Sequence, residues 1–539
     1  MIAFEGVDGA GKSTALRFTA ERLRAQGVKL CLPRVGKTHA SRPTQMIREL
    51  TRDPHNFELS ARAELLLYCA REAQVMSELV RPALERGETV LVDRSFLTPI
   101  VLGRARGLSA EECETTARLA SAGVEPDLTL VFDVHPRTSR LRKRIERIRN
   151  HSLGEGGRKG LLGSAFKERV REHYARIAHE RGHPILHVER ATPLDLAARV
   201  VRLLQHGANA NTGETPLDLE PRWRCAERCD LVSALEDLPL AEALFLGDGL
   251  IATRALRARA LAEEPALTAY TLDADDPLRE AAAELEPEFA LRGLRGKPLS
   301  GPDDIRLRTI ARAPRAALLA LRGLHDDASD ALRREHAFRE PDALLSSLAF
   351  RDDASAWRLR ELVWKLSRDE ARATSLIGCR DRRSAELRAQ LFASHPLLAL
   401  KSLRGTRSRR GDDWLSSMHA HAPKAVLQAL VGRVDPFAQR MRAELFETGR
   451  EVIDSVRRQA DEAAFALRER ALTRWPSTVA HSLLGLPDSP RVRAIYERCA
   501  ALGARDLHVL RRLWLLDEQA SQPMWKRSSN AAPEASEFE

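Results

Sequence analysis

The sequence contains few cysteines and no long apolar run. Seven cysteines are spread over 539 residues, too few for the disulfide framework of a secreted protein. Cys225 and Cys229 lie four positions apart, but no second Cys/His pair at zinc-binding spacing follows, so reduced thiols are favoured over a metal site. The sequence has no run of about 18 apolar residues, so we expect no membrane span. The first residues also lack the pattern of a signal peptide. We expect a cytoplasmic protein that does not enter the membrane.

The length and the charge of the chain set two further limits. A chain of 539 residues exceeds what one hydrophobic core supports, which predicts at least two domains. The net charge of +10 permits an acidic partner, including nucleic acid. The arginines are spread along both halves with interleaved acidic residues. The sequence has no block of like charge flanked by aromatic residues, which would be typical of a groove for single-stranded nucleic acid. Nucleic-acid binding is therefore permitted but not indicated, and solvated helix faces explain the arginines better.

The N-terminus contains a glycine-rich phosphate-binding motif. Gly6, Gly11, Lys12 and Ser13 fit the pattern G-x-x-x-x-G-K-[ST] between an apolar strand and a helix. Glycines let the backbone amides surround a polyphosphate, and the helix directs its positive end at the same charge. Lys12 would reach the β- and γ-phosphates of ATP, and the Ser13 hydroxyl would bind Mg²⁺. The predicted ATP-binding residues are Gly6, Val7, Asp8, Gly9, Ala10, Gly11, Lys12, Ser13 and Thr14.

Apolar runs alternate with helical patterns through residue 205, which predicts an α/β domain with a parallel five-stranded sheet and helices on both faces. The predicted strands are residues 2–4, 28–32, 89–92, 128–133 and 185–188. Ligands bind beyond the carboxyl ends of such strands. Asp93 follows the third strand, where it could hold Mg²⁺ together with Ser13, and Arg94 beside it could clamp a phosphoryl oxygen.

A third basic cluster follows the fourth strand. Residues 137–144 contain Arg142 and Arg144, and the irregular glycine-rich segment 150–160 comes next. Such a segment could close over the phosphates as a basic flap and stabilise charge in the transition state. The alternative is a solvated helix face, which the two neighbouring motifs make less favourable.

Residues 1–205 resemble the thymidylate kinase family of nucleoside monophosphate kinases. The resemblance rests on the opening Phe-Glu-Gly-x-Asp-Gly-x-Gly-Lys-Ser-Thr, on Asp93-Arg94, on the segment 126–136 with Arg142 and Arg144 after it, and on Phe166 to Tyr174. It implies that Asp8 approaches the acceptor sugar and that Arg94 contacts the phosphates. It also implies that the catalytic arginines come from the lid, because Ala10 stands in the loop where some members carry arginine. Lys12, Asp93, Arg94, Arg142 and Arg144 are then the expected catalytic residues.

The acceptor site departs from the family pattern. The family's Arg-Glu-Pro-Gly-Gly-Thr is replaced by a segment that begins at Arg34 and lacks the glutamate, and the arginine of the next helix comes one position early, at Arg71. A Tyr-Gln pair that faces thymine in the family is here Leu102-Gly103. The expected acceptor-binding residues are Asp8, Arg34, Tyr68, Arg71 and Arg94. The transfer machinery looks intact, and thymine recognition looks weakened.

The second half of the chain is predicted to be an all-α solenoid. Beyond a linker at 206–221, units of about 27 residues start with a proline that is followed seven residues later by leucine, as in Pro314–Leu321 and Pro341–Leu348. Proline suits the first helical turn and the glycine after the leucine suits a helix end, so each unit should be two short helices. Stacked units would form a HEAT-like solenoid over 222–516, and a globular bundle is the alternative. A polar tail at 517–539 should be disordered.

The arginines that follow leucine in these units, such as Arg333, Arg360, Arg388 and Arg468, could line the concave surface or cover the outer one. We found no catalytic chemistry in this half, since His419, His421 and His481 occupy positions where packed or solvated histidines are common. Solenoids present long surfaces to partners. A protein partner is therefore expected, and the kinase domain could also pair with a second copy.

Three functions remain open from the sequence. The first is ATP-dependent phosphorylation of a nucleoside monophosphate, dTMP to dTDP if the family substrate is retained, with Mg²⁺ and ATP. The second is a nucleotide-gated scaffold in which a divergent kinase-like domain controls partner binding by the repeats. The third is a kinase for a different nucleoside or monophosphate.

Overall fold

The computed structural model describes residues 1–33, 41–152, 157–188, 193–206, 240–241, 244, 254–272 and 276–504. The chain divides into two compact units. One comprises Met1–Arg144 with Gly154–Leu219, and the other comprises Ile145–Leu153 with Glu220–Glu539. The predicted tail, Cys225, Cys229 and all of the predicted linker except His206 lie outside the described residues.

The first unit is built on a parallel sheet of five strands in the order β2-β3-β1-β4-β5. The strands are β1 Ile2–Gly6, β2 Leu30–Cys31, β3 Thr89–Asp93, β4 Leu128–Asp133 and β5 Ile185–His187. Strand β1 lies between β3 and β4, with Ile2 opposite Leu91 on one side and Leu128 on the other. This central position explains why β1 is buried along its whole length and is apolar except at Glu5. The predicted fold class is confirmed.

Nine α-helices surround this sheet among the described residues. They are α1 Lys12–Ala25, α2 Arg42–Arg52, α3 Ala61–Val75, α4 Arg81–Glu85, α5 Leu97–Ala105, α6 Ala110–Ser121, α7 Pro136–Arg149, α8 Ser164–Arg181 and α9 Pro193–His206. One core packs α1 and α9 on the sheet around Phe4 and Phe132, whose rings stack at 5.6 Å. A second core joins α3, α5, α6 and α8 on the other face. The layers are those of a doubly wound α/β domain.

The helical stretch 61–85 is interrupted once. A π-helical turn at Met76–Val80 separates α3 from α4, and Pro82 follows it. Proline has no backbone N–H and its ring crowds the preceding turn, so the regular i→i−4 pattern cannot continue there. Periodicity alone does not reveal such an interruption.

Pairs of short helices make up most of the described part of the second unit. The first helices of the pairs are Arg254–Glu263, Arg279–Leu285, Ile305–Ile310, Asp327–Glu335, Ala354–Val363, Arg382–Ser394, Arg409–Met418, Pro436–Glu444, Glu462–Ala471 and Pro490–Ala501. The second helices are Pro265–Thr271, Pro287–Ala290, Pro314–Ala320, Pro341–Ser347, Asp369–Ser375, Pro396–Ser402, Pro423–Ala429, Glu451–Asp454 and Pro476–Ser482. As predicted, a helix begins at each of seven repeat prolines, which are Pro265, Pro287, Pro314, Pro341, Pro396, Pro423 and Pro476.

A left-handed residue recurs after each second helix from Pro287 onward. Six of these positions are glycine, for example Gly378 with φ 79° and Gly405 with φ 74°, while Phe350 with φ 65° and Arg458 with φ 61° are exceptions. The turns stack closely, since a Cβ on Gly405 would lie 4.0 Å from the Cα of Gly378. Backbone hydrogen bonds also connect neighbouring turns; for example, the Gly378 N–H donates to the Arg404 carbonyl at 3.2 Å. Glycine is favoured because it occupies this conformation without strain.

Buried arginines connect several helix pairs to the turn of the preceding pair. Arg333, Arg360, Arg388 and Arg468 are at most 5% exposed, so they neither line a concave surface nor cover the outer one, contrary to both alternatives above. Arg468 donates to the carbonyls of Val456 and Gln459 at 2.8 Å. Arg388 makes the equivalent bonds to Leu376 and Cys379 at 2.6 and 2.7 Å. These carbonyls follow helix ends, whose partial negative charge stabilises the guanidinium.

None of the described helices is both long enough and apolar enough to cross a lipid bilayer.

Candidate active site

The loop between β1 and α1 has the conformation that a polyphosphate cradle needs. Gly6, Gly9 and Gly11 have φ of 126°, 82° and 82°, a region that disfavours side chains. A Cβ on Gly6 would overlap the Phe132 carbonyl, and one on Gly9 would lie 3.0 Å from the Ser139 carbonyl. The Ser139 hydroxyl donates to the Asp8 carbonyl at 2.6 Å. The loop is therefore held between β4 and the start of α7.

Lys12 lies at the centre of this loop. Its ammonium donates to the carbonyls of Gly6 at 3.0 Å and Val7 at 2.8 Å. Burial, with Arg94 nearby, lowers the pKa of Lys12 to about 8. Phosphate oxygens would supply the negative charge that this buried cation lacks.

Ser13 and Asp93 meet at the carboxyl ends of β1 and β3. The Ser13 hydroxyl donates to Asp93 Oδ2 in a short hydrogen bond. A hydroxyl and a carboxylate are hard oxygen ligands of the kind that Mg²⁺ binds beside phosphates. The donor set fits that ion, although no cluster of three or more carboxylate, imidazole or thiol side chains that could hold a metal occurs among the described residues.

Arg94 lies across the phosphate loop. It has φ 75°, a strained conformation for arginine, and its own N–H continues the sheet by donating to the Phe4 carbonyl at 3.0 Å. Its guanidinium donates to the Gly6 carbonyl at 3.0 Å and to Asp8 Oδ1 at 2.5 Å. The Arg94 charge, aided by Lys12, holds the pKa of the Asp8 carboxyl well below its ordinary value. Asp8 therefore stays an anion at the exposed rim of the site.

A buried carboxylate supports Arg94 from below. Glu5 is fully buried and accepts from the Ser95 N–H at 2.6 Å, the Thr98 hydroxyl at 2.7 Å and the Tyr174 hydroxyl at 2.9 Å. Arg94 in turn donates to the Tyr174 oxygen at 3.1 Å. Burial, with the Glu5 charge beside it, raises the pKa of Tyr174. Strand β1, helix α5 and helix α8 thus fix the orientation of Arg94.

The two predicted lid arginines lie on α7. Arg142 donates to the Val188 carbonyl at 3.1 Å, and Arg144 lies two positions further along the same helix. The basic flap that we predicted at 150–160 is only partly described, since 153–156 are outside the described residues. Its residue Arg158 is 2% exposed and forms an ion pair with Glu64. Arg158 therefore serves the packing of α3.

Tyr68 and Arg71 lie together on α3. The Arg71 guanidinium lies 5.4 Å from the centre of the Tyr68 ring, and Lys159 lies over the same ring at 4.6 Å. Burial lowers the pKa of Lys159 to about 7. Arg71 also donates to Glu72 at 2.9 Å. The structure thus brings two of the predicted acceptor residues together with Lys159, which belongs to the predicted flap.

The remaining acceptor positions are less informative. Arg34 lies outside the described residues. Leu102 is 6% exposed in the second core, and a Cβ on Gly103 would lie 2.7 Å from Cys113 Sγ. These two positions are packed against α6.

Glu5, Thr98 and Tyr174 were not among the residues predicted to act in the site. A glutamate inside an apolar strand is a signal that we could have used, because a buried carboxylate needs several donors. Asp133 lies near the site but is held by Arg171 through two hydrogen bonds of 2.6 and 2.7 Å. Although burial opposes it, this arginine keeps the pKa of Asp133 below its ordinary value.

Comparison with known proteins agrees with this geometry. The family model described as "Thymidylate kinase" matches residues 4–195. The thymidylate kinase of Desulfovibrio desulfuricans is 36% identical over 198 residues, which are 36% of this chain and 88% of that protein. That of Desulfosudis oleivorans is 34% identical over 213 residues, 39% of this chain and 98% of that protein. That of Pseudomonas savastanoi pv. phaseolicola is 38% identical over 205 residues, 38% and 93% of the two chains. With these matches and the phosphate-loop geometry, the chain belongs to the thymidylate kinase family.

Proposed function

We propose that this protein transfers the γ-phosphoryl group of ATP to dTMP and so produces dTDP and ADP. One observation carries the proposal: Lys12 and Arg94 both donate hydrogen bonds to the Gly6 carbonyl of the glycine-rich loop, and Arg94 also donates to Asp8. The names of the relatives support dTMP as the acceptor. They favour this enzyme over the nucleotide-gated scaffold.

ATP would bind with its phosphates on the loop amides of residues 6–14, with Lys12 at the β- and γ-phosphates. Ser13 and Asp93 would hold Mg²⁺, which neutralises phosphate charge when bound. Their direct hydrogen bond keeps the two oxygen donors side by side.

The acceptor would bind across Asp8, Tyr68, Arg71 and Arg94, with Arg34 as a further predicted contact. Arg94 is the phosphate contact that the hydrogen bonds support best, because Glu5 and Tyr174 orient it. Asp8, which remains anionic, would accept a hydrogen bond from the acceptor sugar.

In the transfer, an acceptor phosphate oxygen forms the new P–O bond as the bond between the γ-phosphorus and the bridging oxygen of ATP breaks. Lys12 and Arg94, with Arg142 and Arg144 from α7, would neutralise the charge on the transferred group. No covalent intermediate with the protein is needed, since positioning and electrostatics account for such reactions.

The proposal extends to the rest of the chain. We place the kinase domain at 1–205, a linker at 206–221, a HEAT-like solenoid at 222–516 and a tail at 517–539. The recurring helix pairs support the solenoid, whose surface would bind a partner, and pairing of two kinase domains stays a prediction. A cytoplasmic location is supported by Cys31, Cys69, Cys113, Cys379 and Cys499, the described cysteines, which are all free thiols.

Product analysis tests the proposal. Purified protein with MgATP and dTMP should form dTDP and ADP in equal amounts, and Lys12→Ala should form neither. ADP without dTDP would mean that the site hydrolyses ATP and would contradict the proposed transfer.

A further inference from the structure

Two successive turns of the second unit carry an unusual set of arginines. We define the basic turns as residues 378–383 and 405–410. Arginine occupies the same three places in both: Arg380 and Arg407, Arg382 and Arg409, Arg383 and Arg410, each pair 27 positions apart. The preceding turn has Asp352, Ala354 and Ser355 at these places, and the following turn has Val434, Pro436 and Phe437. The fold therefore does not require arginine there, in contrast to the buried arginines.

The basic turns lie directly against each other. A Cβ on Gly405 would lie 4.0 Å from the Cα of Gly378, and backbone hydrogen bonding from Gly378 to Arg404 joins the two turns at 3.2 Å. The helices Arg382–Ser394 and Arg409–Met418 begin at these turns, and their N-terminal ends add positive potential. Together the arginines form one continuous basic surface.

Acidic side chains neutralise little of this surface. Between Arg380 and Arg410 the chain has nine arginines and lysines against two acidic residues. Arg380, Arg407 and Arg409 are exposed, and in the described part of the chain no carboxylate forms an ion pair with them. Arg382 pairs with Glu386 at 2.9 Å and Arg383 pairs with Glu361 at 2.5 Å, but all four side chains are at least half exposed, so both pairs are weak.

An aromatic side chain lies at the edge of the basic turns. Phe350 occupies the left-handed position of the preceding turn, where six other turns have glycine, and it is 47% exposed. Its ring lies against both glycines, since Cβ atoms on Gly378 and Gly405 would be 2.6 and 3.9 Å from Phe350 carbons. The left-handed backbone is strained at phenylalanine, and the side chain stays about half exposed although the Arg322 guanidinium lies 5.5 Å from the ring centre.

We propose that the basic turns and Phe350 bind single-stranded nucleic acid without sequence preference. Arginines at matching positions of adjacent turns would contact successive phosphates, and guanidinium groups bind phosphate through two hydrogen bonds. Phe350 would stack on a base, which any base permits. An acidic protein is the less favoured partner, because protein interfaces need an apolar core, and the basic turns consist of arginine, glycine and other small or polar residues. Interfaces with nucleic acid are polar and positively charged.

Binding of a fluorescein-labelled 20-mer of deoxythymidine without terminal phosphates tests this proposal by fluorescence anisotropy. The full chain should bind it more tightly than a duplex of the same length. Arg380→Glu/Arg407→Glu/Arg409→Glu should weaken binding by roughly a hundredfold and make the slope of log K against log salt shallower by about 2, since each single-strand phosphate contact contributes about 0.7. Phe350→Gly, which suits the left-handed backbone, should weaken binding about tenfold and leave the salt slope unchanged.

The matched control is Arg334→Glu/Arg339→Glu/Lys365→Glu. This variant changes the net charge by the same amount as the triple arginine variant. Its three residues are exposed and lie near or beyond the C-terminal ends of first helices, away from the basic turns. It should bind within threefold of the unmodified chain, and all variants should retain dTMP-dependent ADP release. An equal loss in the control, preference for the duplex, or binding of polyglutamate in place of the oligonucleotide would overturn the proposal.

Discussion

Replacing Arg468 with alanine should destabilise the helical unit by about 2–5 kcal/mol. This side chain is fully buried and donates to the carbonyls of Val456 and Gln459 at 2.8 Å and to the Ser482 hydroxyl at 2.9 Å. Each buried carbonyl that loses its donor costs about 1–3 kcal/mol. The Ser482 hydroxyl has a second partner, the Val479 carbonyl at 2.8 Å, so its loss adds little.

Tryptophan fluorescence during urea unfolding measures this effect selectively. All seven tryptophans lie at or beyond residue 223, so the signal does not report on the kinase domain. The control is Arg440→Ala, which removes an exposed arginine from the helix Pro436–Glu444 and should shift stability by less than about 0.5 kcal/mol. Burial lowers the pKa of Arg468 only to about 10, so the side chain is charged at neutral pH. If Arg468→Ala were as stable as the control, the carbonyl contacts would not hold the helix pairs together.

Three further predictions concern the kinase site. Lys12→Ala should abolish ATP turnover in a normally folded protein, and retained turnover would contradict the assignment of the phosphate loop. At pH 8, near the pKa of Lys12, nucleotide binding should take up about half a proton, because phosphates favour the ammonium form. Calorimetry in two buffers of different ionisation enthalpy measures this proton uptake. The uptake should vanish at pH 6, where Lys12 is already protonated, and in Lys12→Met. Tyr174→Phe removes a partner of Arg94 and Glu5 and should lower kcat by roughly tenfold to a hundredfold with little change in KM for ATP, whereas an unchanged kcat would refute the positioning role.

Local signals in the sequence were enough to predict the α/β domain and the phosphate loop. The glycines that precede Lys12 and the apolar strand before them report directly on backbone conformation, and the structure has both as expected. Proline reports equally directly on helix starts, as at Pro314 and Pro341. These signals work because each depends on one residue's own backbone preference.

Contacts between distant residues were not predictable in this way. Glu5 and Tyr174 are 169 positions apart, and only the fold shows that they share a hydrogen bond below Arg94. The leucine-arginine pattern was visible, but the burial of Arg333 and Arg468 depends on carbonyls presented by neighbouring turns. Charge alone suggested a solvated surface, because the hydrogen bonds of Arg468 go to backbone carbonyls and a serine, and no acidic partner in the sequence reveals its burial.

The most direct test of the central claim is ADP release from MgATP with each common nucleoside monophosphate in turn. Leu102 and Gly103 are packed in the core, so other groups must distinguish dTMP from the other nucleoside monophosphates. Among the described residues, Tyr68 and Arg71 are the candidates. We predict that dTMP gives the highest kcat/KM and that Arg71→Ala lowers it more for dTMP than for the other acceptors. No stimulation by dTMP, with ATP still bound, would contradict the account.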